Sequence, residues 1–131
     1  MFPNYYSKSK SKYGNTKINY GNETFDSKKE LNRFLELDLL QRAGEISNLQ
    51  RQVEFVLIPN QYETIEKTLK SGKIKQEQKL IERKCSYIAD FVYTDKQGNT
   101  IVEDTKGIKT TEYIIKRKLM FYIKNIKIHE I

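Results

Sequence analysis

Asp90, Asp104 and Lys106 place two hard oxygen donors and one mobile cation inside an otherwise β-branched and aromatic stretch, residues 87–107. A cation such as Mg²⁺ takes one or two carboxylates and completes its shell with water and substrate phosphate. A neighbouring lysine can orient the attacking water or offset charge growing on the phosphate. Asp104 and Lys106 lie two apart and so share a strand face, while Asp90 is an acid on an apolar strand, where charge is costly unless compensated. A plainer alternative stays open: Asp90 closes a buried ion pair, and Asp104 with Lys106 makes an ordinary solvated one.

These residues need a hairpin to bring them together. Asp95-Lys96-Gln97-Gly98-Asn99 supplies the turn, and both flanks favour strand. Tyr87, Ala89, Phe91 and Tyr93 then point away from Ile88, Asp90 and Val92, and Val102, Asp104 and Lys106 point away from Ile101, Glu103 and Thr105. Upstream, Ser27 and Glu30 match a capping box, and Leu31, Phe34, Leu35 and Leu39 follow at helical spacing until Ala43-Gly44. In this reading Glu30 ties down the first helical turn. Residues 46–58 read as a strand or a bent pair, with Val53, Phe55 and Leu57 alternating against Gln52, Glu54 and Val56 up to Pro59.

Residues 60–80 are expected to hold a short helix, since Tyr62, Ile65 and Leu69 share a stripe and Glu63–Lys67 and Glu66–Lys70 are i,i+4 pairs. The polar run after it reads as strand or loop. After the central hairpin, Thr110 or Thr111 caps a second helix with an apolar face of Ile114, Ile115, Leu119, Tyr122 and Ile123. Asn125 ends it, and a last strand holds Ile126, Ile128 and a surface-facing His129.

The 131 residues suit one domain, with 37% hydrophobic and 31% charged residues and a net charge of +7 that favours a polyanionic partner. No run is long enough to span a membrane, and no secretory leader is evident. One cysteine, Cys85, excludes an internal disulfide and a cysteine-rich zinc site; it is expected as a small buried strand residue in a cytoplasmic protein. Residues 1–22 contain no acid and read as a flexible basic arm before a domain at 23–131 with an insertion near 60–80. Lys8, Lys10 and Lys12 of that arm, and Lys109, Lys116, Arg117 and Lys118 at the second helix, are candidates for phosphate contacts; the ordinary alternative for each of them is a solubilising surface charge.

The acid on one strand followed by Asp-Thr-Lys on the next resembles the PD-(D/E)XK, or restriction-endonuclease-like, nuclease superfamily. The order helix, strand, strand, strand, helix, strand is similar to its α/β core, a mixed sheet flanked by helices. The series KYGN, FDSKKE, LQRAGEI, YIADFVY and VEDTKG further resembles a family of small phage-encoded members, akin to Holliday-junction resolvases. The resemblance implies that Asp90 and Asp104 ligate Mg²⁺, with Mn²⁺ able to substitute. It makes Lys106 the water-orienting or charge-stabilising lysine and Glu30 a supporting acid. The implied activity is endonucleolytic cleavage of DNA, branched DNA included, in the cytoplasm of a host cell if the chain is phage-encoded, with a second copy of the chain as an expected partner. The long segment 60–80 departs from the simple core, and Glu103, turned away by strand parity, is expected to be structural. The alternative is a nucleic-acid-binding protein that keeps the fold without catalysis; a scaffold that binds an acidic protein has no motif behind it.

Overall fold

Ser27 starts the first long helix as expected, its Oγ accepting the Glu30 backbone N–H at 3.1 Å. This element of the computed structural model, α1 (Lys28–Arg42), closes at Ala43, and Gly44 takes the left-handed φ of +78° that a side chain would resist. The structure describes residues 7–10 and 16–131, with side chains from Lys17 onward. The strands are β1 (Ser7–Lys10), β2 (Thr16–Tyr20), β3 (Glu23–Phe25), β4 (Ser47–Ile58), β5 (Gln61–Thr68), β6 (Ile74–Glu82), β7 (Cys85–Thr94), β8 (Thr100–Asp104) and β9 (His129–Glu130). The second helix, α2 (Thr111–Lys124), lies between β8 and β9 in sequence. The fold is α/β with a mixed sheet and two helices. With the N-terminal strands and the β5–β6 pair set aside, α1, β4, β7, β8, α2 and β9 follow the expected order.

Two compact units make up the chain, and β4 and β7 run from one into the other. The first comprises Met1–Val53, Ala89–Ile108 and Ile128–Ile131. Here β1, β2 and β3 form an antiparallel sheet, so part of the stretch expected as a basic arm is strand. The main sheet has the order β4-β7-β8-β9, with β7 antiparallel and β9 parallel to β8. Alternation along β7 is as expected: Tyr87, Ala89, Phe91 and Tyr93 are buried and their neighbours less so. Leu37, Ile46, Phe91 and Tyr93 form one core cluster, joined by Phe34, Leu49 and Ile101. Ile18, Phe25 and Leu31 form another beneath Tyr20, Phe34 and Leu35.

The α1 stripe differs from expectation at one position. Leu39 is 69% exposed and Leu37 fully buried, because the inward face follows Glu30, Phe34, Leu37 and Gln41, a series that runs through two polar residues. Reading only apolar positions shifted the stripe around the helix. In β4 the inward residues are Leu49, Arg51, Val53, Phe55 and Leu57, again with a charged side chain in an inward place. β4 is a single strand, within which Asn48 and Gln52 take positive φ.

The second unit is Glu54–Ile88 with Lys109–Lys127. The helix expected within residues 60–80 is absent: β5 and β6 pair antiparallel over nearly their whole length, from Tyr62 opposite Leu80 to Thr68 opposite Ile74. Gly72, at φ +83°, reverses the chain. The spacing of Tyr62, Ile65 and Leu69 loses to strand pairing, which the Tyr, Thr and Ile residues of the segment favour. Thr110, not Thr111, caps α2, and Asn125 ends it in the left-handed conformation. Its buried positions are Tyr113 and Met120, whereas Ile115, Tyr122 and Ile123 of the expected apolar face are exposed. Tyr87 packs between Phe55, at 6.4 Å between ring centroids, and Tyr113, at 6.3 Å. Cys85 is half-buried rather than buried. Only His129 and Glu130 form the last strand, both exposed, with Ile126 and Ile128 preceding it. Among the described residues no helix is long and apolar enough to cross a membrane.

Candidate metal centre

The hairpin of β7 and β8 sets the site. Phe91 faces Glu103 and Val92 faces Val102, so one more step of the register puts Asp90 opposite Asp104, on the face of Val92 and Val102. Asp90 is held by the segment that follows β8. Its Oδ2 accepts the Thr105 backbone N–H at 2.9 Å and the Thr105 hydroxyl at 2.8 Å. Thr105 is the middle residue of Asp104-Thr105-Lys106, so the first strand's acid is tied directly to the second strand's motif. Asp104 is 1% exposed, and Lys106 Nζ stands 3.4 Å from its Oδ1.

Glu30 comes to the same place from α1. Its two oxygens divide the roles that its sequence position left open. Oε2 accepts the Asp26 backbone N–H at 3.0 Å, one residue before the Ser27 N–H that a capping box would use. Oε1 accepts from Arg51 Nη2 at 3.2 Å and from the Gln52 amide at 3.0 Å. The same Gln52 nitrogen reaches Asp90 Oδ1 at 3.4 Å, bridging the two acids. Glu30 is 2% exposed, and its pKa is raised, first by burial and then by the charge of Asp90.

Arg51 sits flat over the Phe25 ring, 3.7 Å from its centroid, and also donates to the Thr24 carbonyl at 3.1 Å. A cation over a ring in a site withdrawn from water is stabilised by about 1–2 kcal/mol. Arg51 therefore belongs to the packing as much as to the site. On the opposite strand face, Glu103 behaves as parity required. Its carboxylate takes both Arg33 Nε at 2.8 Å and Nη2 at 2.6 Å, and the Tyr93 hydroxyl donates to it at 2.6 Å. This pair ties α1 to β8 one helical turn beyond Glu30. Hydrogen bonding to Glu103 raises the Arg33 pKa, and burial, with Glu103 second, pushes Tyr93 up to about 12.

A family model described as a protein of unknown function (DUF1064) matches residues 10–131. The chain belongs to this family. No curated protein matches it, and no solved structure does. Within this DUF1064 member, Glu30, Asp90, Asp104 and Lys106 all fall in the first unit, and Thr105 and Gln52 link three of the elements that carry them. Among the described residues no group of three or more Asp, Glu, His or Cys side chains is drawn into a ready-made metal cluster.

The phosphate-contact candidates divide between the two units. Lys109, Lys116, Arg117 and Lys118 belong to the second unit. Lys118 and Lys109 are exposed, but Lys116 pairs with Glu112 at 2.9 Å and Arg117 lies 5.9 Å over Tyr113. Lys8 and Lys10 lie on β1, in a stretch whose backbone alone is described, and Lys12 is outside the described residues. Sequence reasoning missed Arg33, Arg51, Gln52 and Thr105. Only Thr105 carried a signal, as the residue between Asp104 and Lys106; the others are ordinary polar residues whose partners lie far along the chain.

Proposed function

We propose that this protein is a metal-dependent DNA endonuclease with a restriction-endonuclease-like site, its substrates including branched DNA. The observation that carries the reading is the double hydrogen bond from Thr105 to Asp90, which locks the acid of one strand to the acid-x-lysine segment of the next. The donor set suits Mg²⁺: it is all carboxylate, without thiol or imidazole. Its charge suits a cation as well, since Glu30, Asp90 and Asp104 are three acids, with Arg51 paired to Glu30 and Lys106 to Asp104. Burial first, and then the charge of Asp90, raise the Glu30 pKa, and a divalent ion would offset the second of these.

Asp90 and Asp104 would hold the ion, which when bound supplies a polarised phosphate and a more acidic water. Glu30, buried and bridged to Asp90 through Gln52, fixes the Asp90 carboxylate on its Oδ1 side while Thr105 fixes it on the other. Lys106, one-third exposed beside Asp104, is placed to orient a water or to neutralise charge on a phosphate oxygen. Calorimetry with Mn²⁺ tests the donor assignment. The wild type should bind weakly and the Asp90→Asn, Asp104→Asn double variant not at all, whereas equal affinity in the two proteins rules the assignment out. A protein that only binds nucleic acid would be indifferent to the metal.

A further inference from the structure

The β5–β6 ribbon has features that folding alone does not explain. Nearly every residue on both of its faces is exposed, including Tyr62 at 55% and Ile74 at 65%. A two-stranded ribbon with no buried face is marginal by itself. Its end is also arranged against its own stability. Residues 67–75, KTLKSGKIK, hold four lysines and no acid, and Lys67 stands directly opposite Lys75 in the register. Like charges in directly opposed positions destabilise a strand pair. Lys67 has Glu77 at 4.0 Å, but the acids Glu63, Glu66, Glu77 and Glu82 all lie on the base side of the tip. A polyanion against the tip removes this repulsion.

Shape narrows the choice of polyanion. Two strands about 4.8 Å apart with their side chains match a duplex major groove about 12 Å wide, which accepts a β-ribbon. Only the end of the ribbon, from the opposed Lys67 and Lys75 to Gly72, is free of acids, so it is the part that suits a groove lined by phosphates. Lys67, Lys70, Lys73 and Lys75 surround the reversal at Gly72, while Thr64 and Gln78, joined at 2.9 Å, place neutral polar groups further down one face.

We infer that the β5–β6 hairpin is a duplex-DNA docking ribbon, its lysine tip bound to phosphates along a groove. The inference rests on the nuclease reading for its choice of DNA as partner, and the ribbon grips the duplex independently of the metal and of cleavage. The test is fluorescence anisotropy of the full chain on an intact labelled duplex in EDTA, across a salt series. It compares wild type with variants in which Lys67, Lys70, Lys73 and Lys75 are all changed to Gln or all to Arg. The Gln variant should bind at least tenfold more weakly. Its log–log salt slope should be shallower by roughly 0.9 for each phosphate that it no longer neutralises. The Arg variant, with its charge kept, should bind like wild type, which separates the removal of charge from misfolding.

Wild-type affinity and slope in the Gln variant would overturn the inference, as would a wild type that ignores duplex DNA but binds polyglutamate. Equal weakening in the Gln and Arg variants would overturn it too. Cleavage in Mg²⁺ is scored separately: a Gln variant that binds and cuts like wild type removes the ribbon and leaves the nuclease. A wild type that docks through the ribbon but never cuts removes the nuclease and leaves the ribbon.

Discussion

At the scale of single residues, Lys106 separates catalysis from structure. It makes an ion pair with a buried carboxylate, so it serves as a simple counter-charge or as the cation of a reacting site. If it stabilises the transition state, Lys106→Ala should lower single-turnover cleavage by roughly 10²–10³-fold, the usual loss for one preorganised donor, with DNA affinity and melting temperature little changed. A counter-charge alone would instead leave the rate per folded molecule intact and depress the melting temperature. Gln52 makes a subtler case. It holds φ at +52° within a strand, a conformation that costs a non-glycine residue about 1–2 kcal/mol, while its amide spans Glu30 and Asp90. Asparagine tolerates that backbone but is one methylene too short for the span. Gln52→Asn should therefore keep the melting temperature within a few degrees and lower the cleavage rate about tenfold or more.

Tyr93 links a residue to pH. Its pKa is about 12 in the folded chain, above its ordinary value near 10, because its hydroxyl is buried and donates to Glu103. A raised pKa of this kind contributes stability that is fully present below pH 10 and is lost as pH rises through 12, on the order of 2 kcal/mol. The stability difference between wild type and Tyr93→Phe, measured by denaturant titration, should shrink across that window and stay flat below it. A constant difference from pH 8 to 12 would show that the hydroxyl is not buried against Glu103.

At the scale of elements, the hairpin carrying Asp90 and Asp104 was legible because strand parity and turn residues are local signals. The caps of both helices were legible for the same reason. The inward stripe of α1 was not, since Glu30 and Gln41 occupy inward positions through partners on distant segments, Arg51 and the Leu49 backbone. The ribbon was missed because its charges satisfy i,i+4 pairing while its Tyr, Thr and Ile residues suit a strand, and only its pairing partner decides. The corrected stripe has a direct consequence. Leu37→Ala should destabilise the protein by about 2–5 kcal/mol, whereas Leu39→Ala should change stability by less than about 0.5 kcal/mol. Thermal or chemical denaturation of the two variants checks it, and equal effects would restore the stripe through Leu39.

At the scale of the whole molecule, the fold is α/β with a mixed sheet and two helices, and the chain adds two strand groups to the expected elements: the N-terminal β1–β2–β3 sheet and the β5–β6 ribbon. The site residues that could be named from sequence are the ones whose spacing is short, Asp104 and Lys106, or whose setting is chemically odd, Asp90 on an apolar strand. Those that hold them in place, Thr105 excepted, act across tens of residues and leave no local pattern. The positive charge that suggested a nucleic-acid partner divides in the same manner. On α2, Lys116 is engaged with Glu112, which lowers the Glu112 pKa, while at the ribbon tip Lys67 and Lys75 stand directly opposed. The measurement that bears most directly on the nuclease assignment is cleavage of end-labelled linear, flapped and four-way-junction DNA by purified wild type and Asp104→Asn, with and without Mg²⁺. The wild type should cut at least one of these substrates in Mg²⁺ and none in EDTA, and Asp104→Asn should cut none; a wild type inert on the whole panel, or an Asp104→Asn protein that cuts as fast, would contradict it.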